Sequence, residues 1–407
     1  MITGADPRQV RTAVVMKNGQ RAATLTREDD AITFRYEGDY LGSSGPAVAT
    51  TLPLTETPRI TRGGAVPAYF ANLLPEGRRL TALRHAVKTS ADDELSLLLA
   101  VGSDPVGDVQ VVAGDAPAGS QDGPPEPDQA EVADFATIDF DDLLAGAGIG
   151  DPAALAGVQD KVSGRMLTLP LSHGGRRHFL KFEVPEFPRV VDNEAYFLTL
   201  ARRLRHPVTR ARVVHDRVGR AGLLVTRFDR EVGPSGQVRA LAVEDAAQLL
   251  DIHPAQKYTV TSEAIATRIG AVCAARPVAL RAVLQQLLFA WLTGNGDLHA
   301  KNISVLASGA EWRVAPIYDV PSTAAYGDST AALPLAGRRA NLSLRAFQEF
   351  ADAVGLPARA ATATIAEVLS ATEPAIAEVE NGPDWLETRA RRDLLRVLRR
   401  RRRDLGG

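Results

Sequence analysis

A polar loop that follows a buried helix is the most informative stretch of this 407-residue sequence. Apolar residues recur at helical spacing from Leu280 to Trp291, which predicts a helix packed inside the protein. Gly294-Asn-Gly296 ends that helix. Four polar side chains then crowd a six-residue loop, namely Asp297, His299, Lys301 and Asn302. The loop is therefore the first candidate for a functional site.

Two short segments after the loop predict a hairpin. Ile303–Ala307 and Trp312–Ile317 flank the turn residues Ser308-Gly309-Ala310. Because an antiparallel pair returns the chain to its starting level, we expect Asp319 to lie beside Asn302. Carboxylate and carboxamide oxygens suit Mg²⁺, which takes the rest of its ligand shell from waters and phosphates.

The loop also contains the other groups that phosphoryl transfer requires. That reaction needs an aspartate near the acceptor hydroxyl and a cation against the developing charge, and Asp297 and Lys301 fit these roles. A hydrolytic metal site is disfavoured because His299 has no second histidine at ligand spacing. The plainer alternative is a polar turn with helix caps.

A second candidate site lies upstream, around Lys181. His178–Glu183 is predicted to form a strand with Lys181 inside it, although a lysine in a strand often faces solvent. Val191–Leu204 is predicted to form a helix in which Glu194 lies along the edge of the apolar stripe. An unpaired carboxylate there is costly, so Lys181 is its expected partner. Protein kinases position ATP phosphates with such a pair.

Two weaker signals flank this pair. The segment Gly157-Val-Gln-Asp-Lys161-Val-Ser-Gly164 is suited to covering phosphates with backbone N–H groups and Lys161, although it is neither a Walker A nor a GxGxxG motif. The apolar strand that begins at Gly222 turns polar at Thr226-Arg-Phe228. This is where a kinase hinge would fall, and we expect its backbone groups to be free to meet adenine.

Composition limits the class of protein. Hydrophobic residues make up 45% and charged residues 24% of the chain, and no apolar run approaches the roughly 18 residues of a membrane span. With no signal-peptide pattern and one cysteine, Cys273, the protein is expected to be cytoplasmic. The net charge of −2 does not point to nucleic acid. Only six of the 47 basic residues are lysines. Because arginine fills most basic positions, we expect these six lysines where a site needs a compact ammonium on a flexible stem.

The chain divides into four regions by pattern. Residues 1–113 are predicted to be β-rich, residues 114–135 form an acidic Pro/Gly linker, residues 136–241 alternate strands with one helix, and residues 242–407 are mostly helical. Helices expected in the first region are Val66–Leu74, Leu80–Val87 and Glu94–Val101. The Arg399–Arg403 run is predicted to end a solvated terminal helix.

A series of ordered motifs runs along nearly the whole chain. The motifs are Phe70-Ala-Asn-Leu-Leu-Pro-Glu76, Ala156-Gly-Val-Gln-Asp-Lys161, Phe179-Leu-Lys181, Val191-Asp-Asn-Glu194, Thr226-Arg-Phe-Asp-Arg230, Glu244-Asp245, Lys257-Tyr258, Gly296-Asp-Leu-His-Ala-Lys-Asn302 and Ile317-Tyr-Asp319. Together they resemble the HipA-type serine/threonine kinases, which are toxins of bacterial toxin–antitoxin pairs.

The resemblance implies an α+β fold with two protein-kinase-like lobes, an extra N-terminal β-rich subdomain and a mostly helical C-terminal lobe. It implies ATP and Mg²⁺ as cofactors, with Asn302 and Asp319 on the metal. The catalytic set would be Asp297, Lys181, Glu194 and Lys301. Residues expected at the nucleotide are Gly157, Val158, Gln159, Lys161, Lys181, Thr226, Phe228, His299 and Asn302.

The resemblance also implies partners. Characterised family members phosphorylate an aminoacyl-tRNA synthetase on serine, which arrests translation and growth. A small helix-turn-helix antitoxin of the HipB type neutralises them, and the pair binds operator DNA through the antitoxin. No membrane partner is implied.

Two other functions remain open from the sequence. Gly296-Asp-Leu-His299 also resembles the catalytic loop of aminoglycoside and choline kinases, which act on small molecules. That alternative does not account for the Phe70–Glu76 and Ala156–Lys161 motifs. A catalytically idle co-repressor bound to an antitoxin is the third possibility, although the catalytic Asp, Asn and Lys are all present.

One departure from the family generates a prediction. The family's best-known member silences itself by phosphorylating a serine just before the phosphate loop, whereas Asp151–Gly157 contains no hydroxyl side chain. We expect this self-silencing to be absent here. Intact-mass and peptide analysis after incubation with ATP checks this. Phosphate on Asp151–Gly157, or quantitative phosphate on Ser163, would contradict it.

Overall fold

The computed structural model of the protein describes residues 6–114, 130–147 and 166–407. These residues form an N-terminal subdomain (6–114), an N-lobe (130–147 and 166–226) and a C-lobe (243–407). The predicted phosphate loop, with Gly157, Val158, Gln159 and Lys161, lies outside the described residues. Most of the acidic linker lies outside them as well.

The N-terminal subdomain is built on one antiparallel sheet. Its strands are β1 (Thr12–Lys17), β2 (Gln20–Glu28), β3 (Ala31–Tyr36), β4 (Arg59–Arg62) and β5 (Val109–Ala113). They pair in the order β4-β3-β2-β1-β5. Asn18 and Gly19 connect β1 to β2 with φ angles of 50° and 74°, the left-handed values that a two-residue hairpin turn requires.

Four helices cover this sheet. They are α1 (Gly38–Leu41), α2 (Ala68–Ala71), α3 (Gly77–Val87) and α4 (Glu94–Val101). The prediction for α4 is confirmed, and α3 begins three residues earlier than expected. The predicted helix Val66–Leu74 is wrong, since α2 is a single turn. Pro75 explains this, because proline lacks an N–H and disfavours helical backbone in the residue before it.

The N-lobe is a four-stranded antiparallel sheet between two layers of helix. Its elements are α5 (Phe140–Gly146), β6 (Leu167–His173), β7 (Arg176–Phe182), α6 (Val190–Ala201), β8 (Ala211–His215) and β9 (Ala221–Thr226). The strand order is β6-β7-β9-β8. Leu180 of β7 shares a core with Phe140 of α5, whereas Phe197 of α6 belongs to the other core. Because strand side chains alternate, Lys181 faces α6.

The C-lobe is mostly helical, as predicted. After a hairpin of β10 (Arg230–Val232) and β11 (Val238–Ala240) come β12 (Val243–Asp245), α7 (Ala246–Leu249), α8 (Ser262–Val272), α9 (Arg276–Thr293), β13 (Ser304–Ser308), β14 (Glu311–Val314), α10 (Leu344–Val354), α11 (Ala358–Thr372), α12 (Pro374–Glu380) and α13 (Thr388–Asp404). The helix α9 is buried from Ala282 to Thr293 and packs against α8, α11 and α13. Across the described ranges, no helix is both long and apolar enough to span a membrane.

The predicted C-lobe hairpin forms, with two differences. The first strand, β13, has the expected five residues but lies one residue later, and the second, β14, is shorter than expected. Ser308 pairs with Glu311, so that the turn contains only Gly309 and Ala310. A third strand, β12, pairs with β13 and completes a three-stranded sheet. With only three residues, β12 is too short to show a periodic pattern in the sequence.

A buried ionic cluster attaches the N-terminal subdomain to the kinase-like lobes. Arg227 donates to Asp229 at 2.8 Å and to Asp104 at 2.5 Å, and its side chain is completely buried. Arg230 donates to the same two carboxylates, at 2.7 Å each. The Asp229 carboxylate also accepts the N–H of Gly107 at 3.0 Å. The alternating charges compensate one another, which a buried cluster requires.

The arginine run of α13 is only partly solvated, which corrects the sequence prediction. Arg401 is buried, and its guanidinium lies 3.6 Å from the centre of the Trp291 ring. It donates to the backbone carbonyls of Trp291 and Ser329. Burial lowers the pKa of Arg401 to about 10. The side chain therefore fastens α13 to α9 as a cation.

We expect Arg401→Ala to destabilise the C-lobe by about 3 kcal/mol, because it removes a desolvated cation–π contact and two hydrogen bonds to backbone carbonyls. Arg403→Ala is the matched control, since Arg403 is exposed in the same run. It should change the free energy of unfolding by less than about 0.5 kcal/mol. Urea denaturation measures both. Equal effects of the two substitutions would contradict the structural role of Arg401.

Candidate active site

The N-terminal subdomain, the N-lobe and the C-lobe meet at a cavity of about 340 Å³. The subdomain contributes residues 72–76, Arg79 and residues 104–106. The N-lobe contributes Lys181 and Glu194, and the C-lobe contributes Asp319 and the polar-loop residues His299, Lys301 and Asn302. Both candidate sites of the sequence analysis therefore open onto one cavity.

Lys181 lies between two carboxylates at the wall of the cavity. Its Nζ is 2.8 Å and 3.0 Å from the two carboxylate oxygens of Glu194, which is the predicted pair. It is also 2.6 Å from Oδ1 of Asp319 in the C-lobe. The Glu194 side chain is only 1% exposed, so Lys181 compensates a charge that water cannot reach.

The three charges shift one another's pKa values. Burial acts to lower the pKa of Lys181, but the Asp319 and Glu194 carboxylates outweigh burial and raise that pKa above its ordinary value. Burial raises the pKa of Glu194, and Lys181 opposes that rise. Burial would also raise the pKa of Asp319, but Lys181 holds it below its ordinary value. Lys181 is therefore an ammonium ion at neutral pH, facing an ionised Asp319.

The polar loop is held in a tight conformation by two glycines and an asparagine. Gly294 ends α9 in the left-handed region, at φ 75°. A Cβ on Gly296 would lie 2.6 Å from the carbonyl oxygen of Thr330, so no larger residue fits there without a shift. Asn295 accepts the N–H of Asp297 through its side-chain oxygen at 2.8 Å. These contacts fix the backbone that presents Asp297.

Asp297 is 1% exposed and does not line the cavity as the described residues bound it. Its Oδ1 accepts a hydrogen bond of 2.6 Å from the hydroxyl of Tyr258. Its backbone carbonyl accepts a 2.9 Å bond from the side chain of Asn302. Tyr258 thus orients the carboxylate, a contact that the sequence analysis did not foresee even though Tyr258 lies in one of its motifs.

His299 and Lys301 line the cavity beside Asn302. Burial lowers the pKa of His299 to about 4, so the imidazole is neutral at physiological pH. Its Nδ1 accepts the N–H of Lys301 at 3.2 Å. The cation at this wall is therefore Lys301 and not His299.

The donor atoms of Asn302 and Asp319 fit a hard cation that also binds phosphate. Both residues line the cavity, and the Asn302 amide donates through Nδ2 to Asp297, which directs its oxygen away from that bond. Within the described ranges, no group of three or more His, Cys, Asp or Glu side chains could hold a metal ion. A carboxylate and a carboxamide suit Mg²⁺, which shares its shell with phosphates and waters.

The expected hinge is only partly available to a ligand. The Thr226 N–H donates to the Arg210 carbonyl at 2.8 Å, and the Thr226 carbonyl accepts from Thr209, so this part of the prediction is wrong. The Arg227 N–H donates to Arg177. The Phe228 N–H makes no hydrogen bond to another described residue, and Phe228 lines the cavity. Hydrogen bonds to neighbouring chain segments occupy groups that the sequence analysis expected to be open.

The N-terminal subdomain contributes a charged residue that the sequence analysis quoted in a motif but assigned no role. Glu76 accepts from Lys257 at 2.6 Å and lies 3.4 Å from Nζ of Lys301. Lys301 also donates to the backbone carbonyl of Asn72 at 2.9 Å. The polar loop is thus in direct contact with a separate subdomain.

Comparison with known proteins bears on this site. The model of the HipA-like C-terminal domain matches residues 153–376, and the model of the HipA N-terminal domain matches residues 13–112. The chain belongs to the HipA family. Two proteins of Sinorhizobium fredii are similar to it, Y4dM with 32% identity over 77% of this chain and 78% of that protein, and Y4mE with 28% identity over 91% and 92%.

HipA proteins of Shewanella oneidensis are similar in sequence and in structure. The serine/threonine-protein kinase toxin HipA is 28% identical over 86% of this chain and 84% of that protein. A solved complex of a toxin–antitoxin system from that organism, with HipA, HipB and operator DNA, contains a chain that matches with a TM-score of 0.76 and 23% identity, over 95% of this chain and 97% of that one. The expected α+β kinase-like HipA fold is confirmed.

Gly296→Ala tests the geometry of the polar loop. The new Cβ would press on the Thr330 carbonyl and on the Thr323 hydroxyl, to which the Gly296 N–H donates, and we expect a loss of about 1–3 kcal/mol. Gly38→Ala is the control, since its Cβ would meet no atom within 4 Å. Thermal denaturation of both variants makes the comparison. A neutral effect of Gly296→Ala would mean that the loop is less tightly held than described.

Proposed function

We propose that this protein is a serine/threonine protein kinase that uses ATP and Mg²⁺ and transfers the γ-phosphoryl group to a seryl hydroxyl of a protein. The observation that carries the proposal is the Lys181 ammonium between Glu194 and Asp319 at the cavity wall. A strand lysine, a helix glutamate and a metal-binding aspartate together form the set with which kinases hold ATP phosphates.

Each residue of the set has a distinct task in the proposed reaction. Lys181 binds phosphate oxygens of the nucleotide, and Glu194 keeps the ammonium in place. Asn302 and Asp319 hold Mg²⁺, which when bound offsets negative charge on the phosphates. Lys301 adds a second cation to the lining of the cavity. Preorganised charges of this kind need no rearrangement as the reaction proceeds.

Asp297 is the proposed acceptor of the seryl proton. Its backbone is fixed by Asn295 and Asn302, and its carboxylate is oriented by Tyr258. A carboxylate held in this way accepts the proton as the hydroxyl oxygen attacks, so that no free alkoxide forms.

The family relationship supports a wider proposal. The HipA chain of Shewanella oneidensis is solved with HipB and operator DNA, and we propose that this chain is a toxin neutralised in the cytoplasm by a HipB-type helix-turn-helix antitoxin. Operator DNA would be bound through the antitoxin. The proposed protein substrate is an aminoacyl-tRNA synthetase, whose phosphorylation would arrest translation and growth.

The first test is transfer from labelled ATP onto a cytosolic extract supplemented with tRNA. We expect one labelled band near the mass of a synthetase with the wild-type protein. Asp297→Asn should reduce transfer about 10²–10⁴-fold while ATP binding is retained, because only the proton acceptor is lost. Near wild-type transfer by Asp297→Asn would overturn the assignment. Nucleotide binding without any labelled protein would favour a small-molecule kinase or an antitoxin-bound co-repressor.

Asp319→Asn should behave differently from Asp297→Asn. Loss of the carboxylate removes a proposed metal ligand and one partner of Lys181, so we expect the Mg²⁺-dependent part of nucleotide affinity to disappear. Titration calorimetry with ATP, with and without Mg²⁺, measures this. Glu349→Gln is the control, since Arg345 at the surface is the one ion-pair partner of Glu349 among the described residues. Unchanged Mg²⁺ dependence in Asp319→Asn would remove Asp319 from the metal site.

A further inference from the structure

Lys301 lies in the polar loop of the C-lobe, but its ammonium is held by the N-terminal subdomain. Its hydrogen-bond acceptor is the Asn72 carbonyl at 2.9 Å, and its carboxylate neighbour is Glu76 at 3.4 Å. Among the described residues, no C-lobe atom accepts a hydrogen bond from Nζ of Lys301 or pairs with it. The position of this cation therefore depends on a distant segment of the chain, since 229 positions separate Asn72 from Lys301.

The segment that holds Lys301 is itself fixed to the C-lobe. The Asn72 side chain donates to the carbonyls of Ala68 and Ile252, at 2.8 Å each. Gln248 of α7 donates to the Tyr69 carbonyl at 3.1 Å. Both anchors hold the segment before Pro75, which contains the Asn72 carbonyl that accepts from Lys301.

Glu76 is also connected to the other side of the polar loop. It accepts from Lys257 at 2.6 Å, and the Lys257 carbonyl accepts the N–H of Ala300 at 3.2 Å. The neighbour of Lys257 is Tyr258, which orients Asp297. The Glu76 carboxylate thus contacts the polar loop itself, through Lys301, and the segment bonded to that loop, through Lys257.

The charge state of Glu76 suits this position. Burial acts to raise its pKa, but Lys301 and Lys257 outweigh burial and hold that pKa at about 2. Glu76 is therefore an anion at every pH at which the protein would act.

We propose that Glu76 is a positioning residue for phosphoryl transfer, which holds the Lys301 ammonium at the cavity wall so that the N-terminal subdomain completes the active site. The inference rests on the proposed kinase function. Without the Glu76 charge, the Lys301 ammonium loses its ion pair and keeps the hydrogen bond to the neutral Asn72 carbonyl and a longer-range attraction to the buried Asp245. Its four-carbon stem is then held less firmly at the wall.

The test compares Glu76→Gln with Glu186→Gln. Glutamine keeps the shape of Glu76 and removes its charge. Glu186 accepts at 2.7 Å from Arg78, which lies two residues after Glu76 at the start of α3. Its substitution therefore weakens another contact of the subdomain, away from the cavity. We expect Glu76→Gln to lower kcat about tenfold with the KM for ATP within about twofold, which corresponds to about 1.4 kcal/mol in the barrier. The control should keep wild-type kinetics.

A second measurement does not depend on activity. Acetylation with a small acylating reagent, followed by peptide mass spectrometry, reports how well each lysine is held. We expect the labelling rate of Lys301 to rise several-fold in Glu76→Gln and to stay unchanged in Glu186→Gln. Lys17 is the internal reference, since it is buried against Asp108 at 2.8 Å and lies far from the substitution in sequence. An unchanged Lys301 rate in Glu76→Gln would overturn the inference.

Two further variants separate positioning from simple stabilisation. If Glu76 acts through Lys301, Glu76→Gln adds no loss to Lys301→Met, whereas independent effects add up and would overturn the inference. Lys257→Met removes the shorter ion pair of Glu76 and leaves Lys301 in place. It should lose as much stability as Glu76→Gln but less kcat. Equal kcat losses would show that Glu76 acts only as a structural link.

Failure of the kinase proposal has its own signature. A wild-type protein that binds ATP but transfers no phosphate overturns the proposed function, and with it the role of Glu76 in transfer. The acetylation rates still decide whether Glu76 holds the Lys301 ammonium. The two failures are therefore distinguishable in one set of proteins.

Discussion

The ion cluster of Lys181, Glu194 and Asp319 is the interaction on which the rest of the structure depends. Its members come from β7, from α6 and from the chain just after β14, with 13 and 138 residues separating Lys181 from its two partners. None of the three charges is well solvated, so each carboxylate needs the Lys181 ammonium, and the ammonium needs the carboxylates. The requirement fixes α6 against the sheet and fixes the N-lobe against the C-lobe, and the cavity forms where they meet.

The N-terminal subdomain is as much a part of this cavity as the two lobes. Arg227 and Asp104 secure the subdomain near the hinge, and Glu76 secures it at the polar loop. Ion pairs at two places in the cavity lining therefore connect the N-terminal subdomain to the rest of the chain. Burying so many charges is favourable only when geometry lets each find its partner, which makes the relative placement of the three parts specific.

Much of the local structure could be predicted from residue patterns. The buried face of α9, the Gly294 stop and the Asn18-Gly19 turn follow from helical periodicity and from the backbone freedom of glycine and asparagine. The Lys181–Glu194 pair could be predicted because an unpaired buried carboxylate is costly and one lysine was at hand. The resemblance of the motifs to those of HipA could likewise be recognised from the sequence, and it agrees with the family match.

The errors have two physical causes. The prediction of a helix around Phe70 did not take account of how strongly Pro75 limits it. The arginine run of α13 was predicted to face solvent, although Arg401 packs on Trp291 of α9. Thr226 was expected to be open, but its groups are used by neighbouring chain segments. In the last two cases a partner distant in sequence decided the outcome.

The sequence by itself determined which segments form strands and helices and which polar side chains can carry chemistry, because those properties depend on neighbours along the chain. Only the tertiary structure decided that Asp319 joins Lys181, that Tyr258 orients Asp297 and that Glu76 meets Lys301. These contacts join residues far apart in the chain. They exist because packing brings the segments together and because buried charges and hydroxyls must then find partners.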